Sequence, residues 1–166
     1  MNILIMSDTH GNFGTIKRLM ENYKSVVSHA IHLGDHAKDM TRYSRSYDSD
    51  IVCHITNGNT DPLVEGYEER VIEIGGKRMF ITHGHNYGVK SGLDRLIYKA
   101  IELKVDACLF GHTHIPELFT HGGIVFLNPG STVYPDIDTV RSYGLLRISD
   151  EGKITGKLLN YKELVC

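Results

Sequence analysis

The amino-acid sequence predicts an α/β protein whose first part contains a parallel sheet and whose last third is antiparallel. Short apolar runs suited to buried strands alternate with amphipathic segments, which is the βαβ rhythm of a parallel sheet. Each run ends in carboxylate, amide or imidazole side chains, and open α/β sheets place their active sites at the carboxyl ends of their strands. After residue 115, short strands follow one another with glycine-rich turns between them, which is typical of an antiparallel sheet.

Five of the predicted strands end in polar side chains of the kind that bind metal ions. The strands are residues 2–7, 30–33, 51–56, 77–82 and 107–110. The polar clusters after them are Asp8-Thr9-His10, Gly34-Asp35-His36, Gly58-Asn59-Thr60-Asp61, His83-Gly84-His85 and Gly111-His112-Thr113-His114. In extended backbone, residues i and i+2 project to the same side about 6–7 Å apart, so each pair would face one volume. That spacing suits two metal ions held ~3.5–4 Å apart. The sequence therefore predicts that five strand ends converge on one site.

Three helices are expected between the strands. The first covers residues 12–23, where Asn12 is placed to cap the helix and an apolar stripe recurs at helical spacing. Residues 38–50 are polar and contain tyrosines, which is consistent with a short helix of undefined limits. The third helix is expected to begin at a capping box formed by Ser91 and Asp94. Its apolar face would carry Leu93, Leu96, Ile97, Ala100 and Ile101.

The remaining segments are predicted to be strands and loops. Residues 70–74 and 77–82 are joined by Gly75-Gly76, which predicts a β-hairpin. Residues 61–67 are expected to form a loop that contains Pro62 and Gly66. Further strands are predicted at residues 117–120, 124–127, 143–148 and 153–159.

Length and composition fit a single domain over residues 1–166. Of these residues 41% are hydrophobic and 23% are charged, so the chain can bury a core of its own. The net charge of −2 offers no basic face for duplex nucleic acid, whose phosphates are bound mainly by Lys and Arg. No apolar run approaches the ~20 residues that span a bilayer, and the N-terminus lacks a signal-peptide pattern. We therefore expect a cytoplasmic protein that does not bind membranes and that could form homo-oligomers.

The cysteines do not form a recognisable metal or disulfide pattern. Cys53 and Cys108 lie within predicted strands, and Cys166 is the final residue. An odd number of cysteines without Cys-x-x-Cys spacing argues against a zinc knuckle or a disulfide framework. We expect Cys53 and Cys108 to be small buried hydrophobic residues.

The candidate ligands supply oxygen and imidazole nitrogen donors and no thiolate. They are Asp8, His10, Asp35, Asn59, His83, His112 and His114. Such a set favours Mn, Fe, Ni, Co or Zn over calcium. Two ions that share a bridging hydroxide provide a nucleophile at neutral pH, because coordination lowers the pKa of water from about 15.7 toward 7. The same ions neutralise and align a phosphoryl group, so the sequence favours phosphoester hydrolysis over redox chemistry, with Asp35 as the natural bridging carboxylate.

The ordered set of motifs resembles the calcineurin-like metallophosphoesterase superfamily. The matching motifs are Asp8-Thr9-His10, Gly34-Asp35, Gly58-Asn59-Thr60-Asp61, Thr82-His83-Gly84-His85 and Gly111-His112-Thr113-His114. The short chain, the Thr-His-Gly-His motif and the Asn128-Pro129-Gly130-Ser131 turn are most similar to its small YfcE-like phosphodiesterase branch. The resemblance extends from Asp8 to the strand after Tyr143.

This resemblance implies an α/β (α+β) fold of four layers, in which two packed mixed β-sheets are flanked by helices. It also implies two divalent transition metal ions, most simply manganese, with nickel, cobalt, iron or zinc as alternatives. One ion would take Asp8, His10, Asp35 and His114, and the other Asp35, Asn59, His83 and His112. Asp35 and Asn59 would thereby take part in catalysis. His85 would lie behind the ligands or contact the phosphate of a small phosphodiester substrate.

One position departs from the family pattern. Many phosphatases of this superfamily have a histidine directly after the metal-binding asparagine, which helps to protonate the leaving group, and here that residue is Thr60. A threonine hydroxyl is too weak an acid for this role near pH 7. We therefore expect better activity on phosphodiesters with good leaving groups than on alkyl phosphates. His36 or His85 could replace the missing acid.

Two other functions remain open. The retromer complex of eukaryotes has a subunit with this fold that serves as a non-catalytic interaction scaffold. Such a protein should have lost ligands, whereas this chain has a suitable residue at each expected position. A phosphomonoesterase is disfavoured by Thr60.

Several residues outside the ligand set are expected to have ordinary roles. His29, His32, His54 and His121 are interpreted as packing or surface residues. Tyr43, Tyr47, Tyr87 and Tyr134 could line the mouth of a substrate site or lie in solvated loops.

Overall fold

The computed structural model describes residues 1–47, 50–62, 67–136 and 139–164. In chain order the elements in these ranges are β1 (Asn2–Met6), α1 (Phe13–Tyr23), β2 (His29–His32), α2 (Ala37–Ser46), β3 (Val52–Ile55), β4 (Glu69–Ile74), β5 (Lys77–Thr82), α3 (Asp94–Glu102), β6 (Ala107–Leu109), β7 (Pro116–His121), β8 (Ile124–Pro129), β9 (Ser142–Ile148) and β10 (Ile154–Asn160). Short 3₁₀ helices cover His85–Tyr87 and Tyr161–Leu164. None of the helices in the described ranges has the length and apolar character needed to cross a membrane.

The strands form two mixed sheets of five strands each. The order is β10-β9-β1-β2-β3 in the first sheet and β4-β5-β6-β8-β7 in the second. In the first sheet β1, β2 and β3 are parallel, and β9 and β10 are antiparallel. In the second sheet β5, β6 and β8 are parallel, while the edge strands β4 and β7 are antiparallel to their neighbours. The polar clusters predicted from the sequence follow the parallel strands of both sheets.

Three apolar clusters give the fold four layers. Successive residues of a strand face opposite sides of a sheet, so Leu4 and Ile5 enter different clusters. Ile5 and Leu109 pack between the two sheets, and Leu4 packs with Met20 under α1 and α2. Leu96 of α3 packs on the outer face of the second sheet. The layers are therefore α1 and α2, the first sheet, the second sheet and α3, which confirms the expected pair of packed sheets flanked by helices.

Most predicted elements are confirmed with small changes of boundary. The α1 helix begins directly after Asn12, whose side chain accepts a hydrogen bond from Thr15 N–H at 3.2 Å. The polar segment predicted over residues 38–50 contains most of α2, which ends at Ser46, and residues 48 and 49 lie outside the described ranges. The predicted loop over residues 61–67 includes residues 63–66, which also lie outside them.

Two predictions about the third helix are wrong. Helix α3 has Leu93 as its N-cap residue, and no side chain caps it. Ser91 cannot start the helix because Gly92 follows it with a φ of 149°, far from helical backbone. Ile101 is 46% exposed, since the buried face of this short helix is confined to Leu96 and Ala100.

The cysteines agree with the sequence interpretation where they are described. Cys108 is fully buried on β6, and Cys53 is partly buried on β3. Burial raises the pKa of both thiols, which are therefore protonated at neutral pH. Cys166 lies outside the described residues.

Candidate metal centre

Four of the predicted ligands converge where strands of the two sheets end. Asp8 and His10 follow β1, Asp35 follows β2, and His114 follows β6. One ligand atom from each residue lies within 4.8 Å of the others. Both carboxylates are buried, and both imidazoles are partly buried. This group coincides with the ligand set that the family resemblance implies for one metal ion.

Hydrogen bonds to main-chain carbonyl groups decide how two of the imidazoles face the centre. His114 and His83 each donate Nδ1–H to a carbonyl oxygen at 2.7 Å. A neutral imidazole that donates through Nδ1 has its lone pair on Nε2. His114 Nε2 faces Asp8 Oδ1 at 3.1 Å, and His83 Nε2 faces Asp35 Oδ1 at 3.5 Å. Histidine ligands of metal ions commonly donate their other N–H in this way, because the bond orients the ring.

The second predicted ligand group includes His83, which contacts Asp35, and His112, which contacts His83. His83 Nε2 is 3.5 Å from Asp35 Oδ1 and 3.2 Å from His112 Nδ1. Asn59 is exposed on the loop after β3. That loop is held against the centre because Thr60 N–H donates to Asp35 Oδ1 at 3.1 Å. Asp35 therefore lies between the two groups, in the position that suits a bridging carboxylate.

The turns after β1, β2 and β6 contain left-handed residues in place of extended backbone, so the predicted i, i+2 geometry is wrong there. Positive φ angles occur at Asp8 (56°), His10 (43°), Asp35 (55°), His36 (72°), His112 (70°) and His114 (62°). Elsewhere in the described ranges, Lys104 is the one non-glycine residue with positive φ. This backbone costs a non-glycine residue roughly 1–2 kcal/mol, and such strain concentrates at functional sites. The turns send His112 and His114 to different ligand groups.

Two glycines allow the loops after β2 and β3 to touch. A Cβ atom at Gly34 would press on the backbone of Gly58, and one at Gly58 would collide with the Asp35 carboxylate. The Asp61 side chain also links the two loops by hydrogen bonds. Its carboxylate accepts from Gly58 N–H at 2.8 Å and from the first N–H of α2 at 2.9 Å. These contacts place the loop of Asn59 beside Asp35.

A buried hydrogen-bond chain beneath the ligands was missed by sequence reasoning. Gly34 N–H donates to His32 Nδ1 at 3.2 Å, so His32 Nε2 is the donor to Thr9 Oγ1 at 3.0 Å. Thr9 Oγ1 donates in turn to Asp39 Oδ2 at 3.0 Å. Burial lowers the pKa of His32 to about 4, so the ring is neutral at pH 7. The available signal was an ionisable ring on a short apolar strand, where it has to find hydrogen-bond partners.

The turn at residues 128–131 supports the centre from the second sheet. Ser131 Oγ donates to the carbonyl oxygen of Asp8 at 2.9 Å and accepts from Tyr134 N–H at 2.9 Å. Asn128 Nδ2 donates to the carbonyl oxygen of Gly111 at 3.0 Å. The Asn-Pro-Gly-Ser motif therefore links the turn after β1 to the turn after β6.

Two further histidines flank the ligand groups. The His85 ring lies 5.4 Å from the ring of His83 and 6.1 Å from that of His112. The His36 ring lies 6.2 Å from the ring of His10. The Nδ1 atoms of His36 and His85 are buried without a hydrogen-bond partner among the described residues. Both therefore lie next to the predicted ligands, and the catalytic role of His85 stays a prediction.

Of the tyrosines considered for the substrate mouth, Tyr134 lies beside the centre. It is 61% exposed, and its ring centroid is 5.4 Å from that of His10. Tyr43 and Tyr47 stack on each other with centroids 4.8 Å apart and belong to the core under α1 and α2. Tyr87 donates its hydroxyl hydrogen to a glutamate of β4 at 2.7 Å.

The other histidines have the packing and surface positions expected of them. His29 and His54 stack with ring centroids 5.6 Å apart on neighbouring strands. His54 Nδ1 also contacts Arg70 at 3.3 Å. His121 is exposed at the end of β7.

Charges in the centre agree with metal binding. Burial acts to raise the pKa of Asp8, but the contact with His114 and the charge of His83 bring it below its ordinary value. Burial lowers the pKa of His10, and burial together with the charge of His83 lowers that of His112 to about 4. The close contact with the Asp8 carboxylate raises the pKa of His114, and a metal cation would take the place of a proton between these two groups. Ionised carboxylates beside neutral imidazoles are the state that metal binding requires.

Some polar atoms of this ligand cluster lack a hydrogen-bond partner among the described residues. Asp8 Oδ1 is buried and accepts no well-directed hydrogen bond from the described residues. His10 Nε2 and His114 Nε2 face each other at 3.4 Å, although each neutral ring can offer a lone pair there. Oxygen and imidazole donors without sulfur fit a divalent transition metal ion. The donor set of this cluster therefore fits a divalent transition metal ion.

Comparison of the sequence with known proteins agrees with the site. A calcineurin-like phosphoesterase superfamily domain matches residues 1–151. YsnB of Bacillus subtilis, named as a probable metallophosphoesterase, is 31% identical over 151 residues, which cover 91% of this chain and 86% of YsnB. The phosphodiesterase YfcE of Escherichia coli K12 is 25% identical over 169 residues, and the match covers 88% of this chain and 87% of YfcE.

Solved structures share the fold. A Streptococcus pneumoniae protein described as a predicted phosphoesterase superposes with a TM-score of 0.81 and 27% identity, covering 97% of this chain and 90% of that one. Vps29 of Entamoeba histolytica, solved with Zn²⁺, has a TM-score of 0.73 and 24% identity, covering 97% and 99% of the two chains. The Vps29 likeness shows the fold alone. Because the family domain matches most of the sequence, this chain belongs to the calcineurin-like phosphoesterase superfamily.

Proposed function

We propose that the protein is a metal-dependent phosphodiesterase that uses two divalent ions, most simply manganese, to hydrolyse a small phosphodiester. The observation that carries this proposal is the position of Asp35 between two groups of converging imidazoles. When bound, two such ions supply a hydroxide nucleophile from water at neutral pH and neutralise the phosphoryl charge. The names of YsnB and YfcE support phosphoester chemistry.

The side chains have distinct roles in this proposal. One ion would be held by Asp8, His10, Asp35 and His114, and the other by Asp35, Asn59, His83 and His112. His83 and His114 keep Nε2 aimed at the centre because their Nδ1–H groups are fixed on main-chain carbonyls. The hydrogen bonds to Asp35 and Asp8 from main-chain N–H groups hold the carboxylates in place before substrate arrives. Preorganised ligands of this kind lower the cost of reaching the transition state.

The leaving group determines which esters are good substrates. The side chain of Thr60 is exposed, and its hydroxyl is a poor acid at neutral pH. We propose that His85 contacts the phosphate from the side of His83 and His112. Aryl phosphodiesters, whose leaving groups need no proton, should therefore react faster than alkyl phosphomonoesters. Initial rates on bis-p-nitrophenyl phosphate and on glycerol phosphate test this, and a faster monoester reaction would contradict it.

The first experiment measures hydrolysis of bis-p-nitrophenyl phosphate by metal-stripped protein with and without added Mn(II). We expect Mn(II) to restore activity in the wild type and not in Asp35→Asn. Asp150→Asn is the matched control, because Asp150 is exposed in the turn between β9 and β10. Mn(II) should also raise the unfolding temperature, since a ligand at 100 times its Kd stabilises the folded state by about 2.7 kcal/mol. No activity with Mn(II), Ni(II), Co(II) or Zn(II) in a folded protein would refute the proposal.

A non-catalytic interaction scaffold is the alternative that the shared fold of Vps29 favours. The presence of a suitable residue at each expected ligand position argues for catalysis instead. The net charge of −2 supports a small substrate rather than duplex nucleic acid. A folded, metal-binding protein without esterase activity would favour the scaffold, and protein partners would then be sought.

A further inference from the structure

A pocket adjoins the candidate metal centre on the side of His114. It has a volume of about 740 Å³ and lies between residues 89–93, 113–117 and 134–136. We call it the side pocket. Sites for small molecules commonly have volumes of about 300–1,000 Å³. His114 lines the side pocket and also belongs to the ligand group of Asp8 and Asp35. A group bound in the side pocket would therefore lie next to a phosphate at the metal centre.

One wall of the side pocket is an anchored aromatic residue. The carbonyl oxygen of Tyr134 accepts from His114 Nδ1 at 2.7 Å, and its N–H donates to Ser131 Oγ at 2.9 Å. The main chain is thus held at both polar groups, while the side chain is 61% exposed. An exposed ring on a fixed backbone loses little entropy when a planar group stacks on it. Stacking of a base on an aromatic side chain contributes about 1–3 kcal/mol.

Three further residues that line the side pocket are apolar. Val89 and Leu93 line the pocket and pack against the core under α3. Ile115, which follows the metal-ligand turn, is 40% exposed and also lines it. Apolar side chains favour contact with the faces of a ring system over contact with a hydrated anion.

Two charged residues of the side pocket indicate which polar groups a bound molecule would carry. Glu117 lines the pocket and is partly buried, and its carboxylate makes no hydrogen bond with the described residues. An ionised carboxylate accepts hydrogen bonds, so it can receive them from hydroxyl or amine groups of a bound molecule in place of water. Lys90 also lines the side pocket and is exposed. Its ammonium group suits an anionic phosphate oxygen at the centre.

We propose that the side pocket binds the nucleoside part of a nucleotide phosphodiester, which names a substrate class for the site and rests on the proposed function. The base stacks on Tyr134, a sugar hydroxyl donates to Glu117, and Lys90 faces the phosphate. A choline ester fits less well, because quaternary ammonium groups bind in cages of several aromatic rings. A second phosphate would be repelled by Glu117 and Asp136, and an acyl chain would bury these carboxylates.

Three p-nitrophenyl esters with the same leaving group test this assignment. The retained group is methyl in methyl p-nitrophenyl phosphate, thymidine in thymidine 5′-(p-nitrophenyl phosphate), and choline in p-nitrophenyl phosphocholine. With Mn(II) present, we expect kcat/KM for the thymidine ester to exceed that for the methyl ester by about 10-fold or more, which corresponds to one stacked base. Equal values for the two esters, or a preference for the choline ester, would overturn the proposal.

Variants identify the residues that carry this preference. Tyr134→Ala and Glu117→Gln should lower the ratio of kcat/KM between the thymidine and methyl esters, mainly through KM for the thymidine ester. Tyr98→Ala and Glu73→Gln are the matched controls, because both residues are exposed and lie outside the lining of the side pocket. A ratio that is the same in all four variants would also overturn the proposal.

A binding measurement separates this proposal from the proposed function. Thymidine itself carries no phosphate, so saturation-transfer NMR with thymidine reports the side pocket without metal ions or hydrolysis. We expect thymidine signals with the wild type and Tyr98→Ala, and their loss with Tyr134→Ala. If thymidine binds in this way but all three esters are inert, the proposed function fails and the pocket assignment stands. If the esters are hydrolysed and thymidine does not bind, the pocket assignment fails.

Discussion

Replacing Thr9 by valine tests the buried hydrogen-bond chain that supports the ligand turn after β1. Thr9 is fully buried between two left-handed residues, Asp8 and His10. Its hydroxyl accepts from His32 Nε2 and donates to Asp39 Oδ2, each at 3.0 Å. Valine keeps the shape of threonine and removes the hydroxyl. His32 and Asp39 would then each lose a hydrogen-bond partner in a place that water does not reach.

The expected magnitude follows from these two contacts. A buried polar group left without its partner costs about 1–3 kcal/mol. Asp39 is 5% exposed and His32 is fully buried, so Thr9→Val should lower the free energy of unfolding by about 2–6 kcal/mol. Thr9→Ser keeps both hydrogen bonds and removes one methyl group, which costs about 1 kcal/mol. The valine variant should therefore be clearly less stable than the serine variant.

Urea unfolding of metal-free protein, followed by circular dichroism, measures this difference. Equal free energies of unfolding for the two variants, within about 0.5 kcal/mol, would refute the reasoning, because changes of that size are ordinary at sites without special contacts. Titration with Mn(II) gives a second measurement. Thr9→Val should bind Mn(II) more weakly than Thr9→Ser, because the hydroxyl's hydrogen bonds hold the turn that contains Asp8 and His10.

Three further predictions concern the glycines, the buried histidine and the core. Gly58→Ala should abolish Mn(II)-dependent hydrolysis in the activity assay, because the new Cβ would displace the Asp35 carboxylate. Gly14→Ala in α1 should instead raise the free energy of unfolding by about 0.5–1 kcal/mol, which chemical denaturation measures. Lowering the pH from 6.5 to 4 should reduce the free energy of unfolding of the wild type more than that of His32→Asn. The His32 ring has a pKa of about 4 in the folded protein, whereas in the unfolded chain it binds a proton below its ordinary pKa of 6.5. Parallel curves of unfolding free energy against pH for the two proteins would contradict this. Leu96→Ala should cost about 2–5 kcal/mol and Ile101→Ala less than about 1 kcal/mol in urea unfolding, because Leu96 is fully buried and Ile101 is 46% exposed.

The sequence predicted most of the fold because its local patterns agree with one another. The apolar stripe of α1 and its Asn12 cap, the alternation of strands and helices, and the polar residues after each parallel strand all depend on nearby positions. Parallel strands of one sheet end at the same edge, so convergence of their terminal residues follows from the strand assignments. The limits of α3 were mispredicted because Ser91 satisfies the capping pattern locally while Gly92 turns the chain away from a helix.

The ligand residues of the centre could be named from the sequence, but their arrangement is a tertiary property. His112 N–H donates to Asp8 Oδ2 at 3.2 Å across 104 positions of the chain, and no local pattern encodes such a contact. The left-handed turns persist because surrounding hydrogen bonds hold them against their intrinsic cost. Side chains from distant segments likewise form the side pocket, which both Tyr134 and Glu117 line. The sequence by itself determined which groups the protein can offer to a metal ion, and packing of the two sheets decided which of them face each other, because only that packing brings the separate strand ends together.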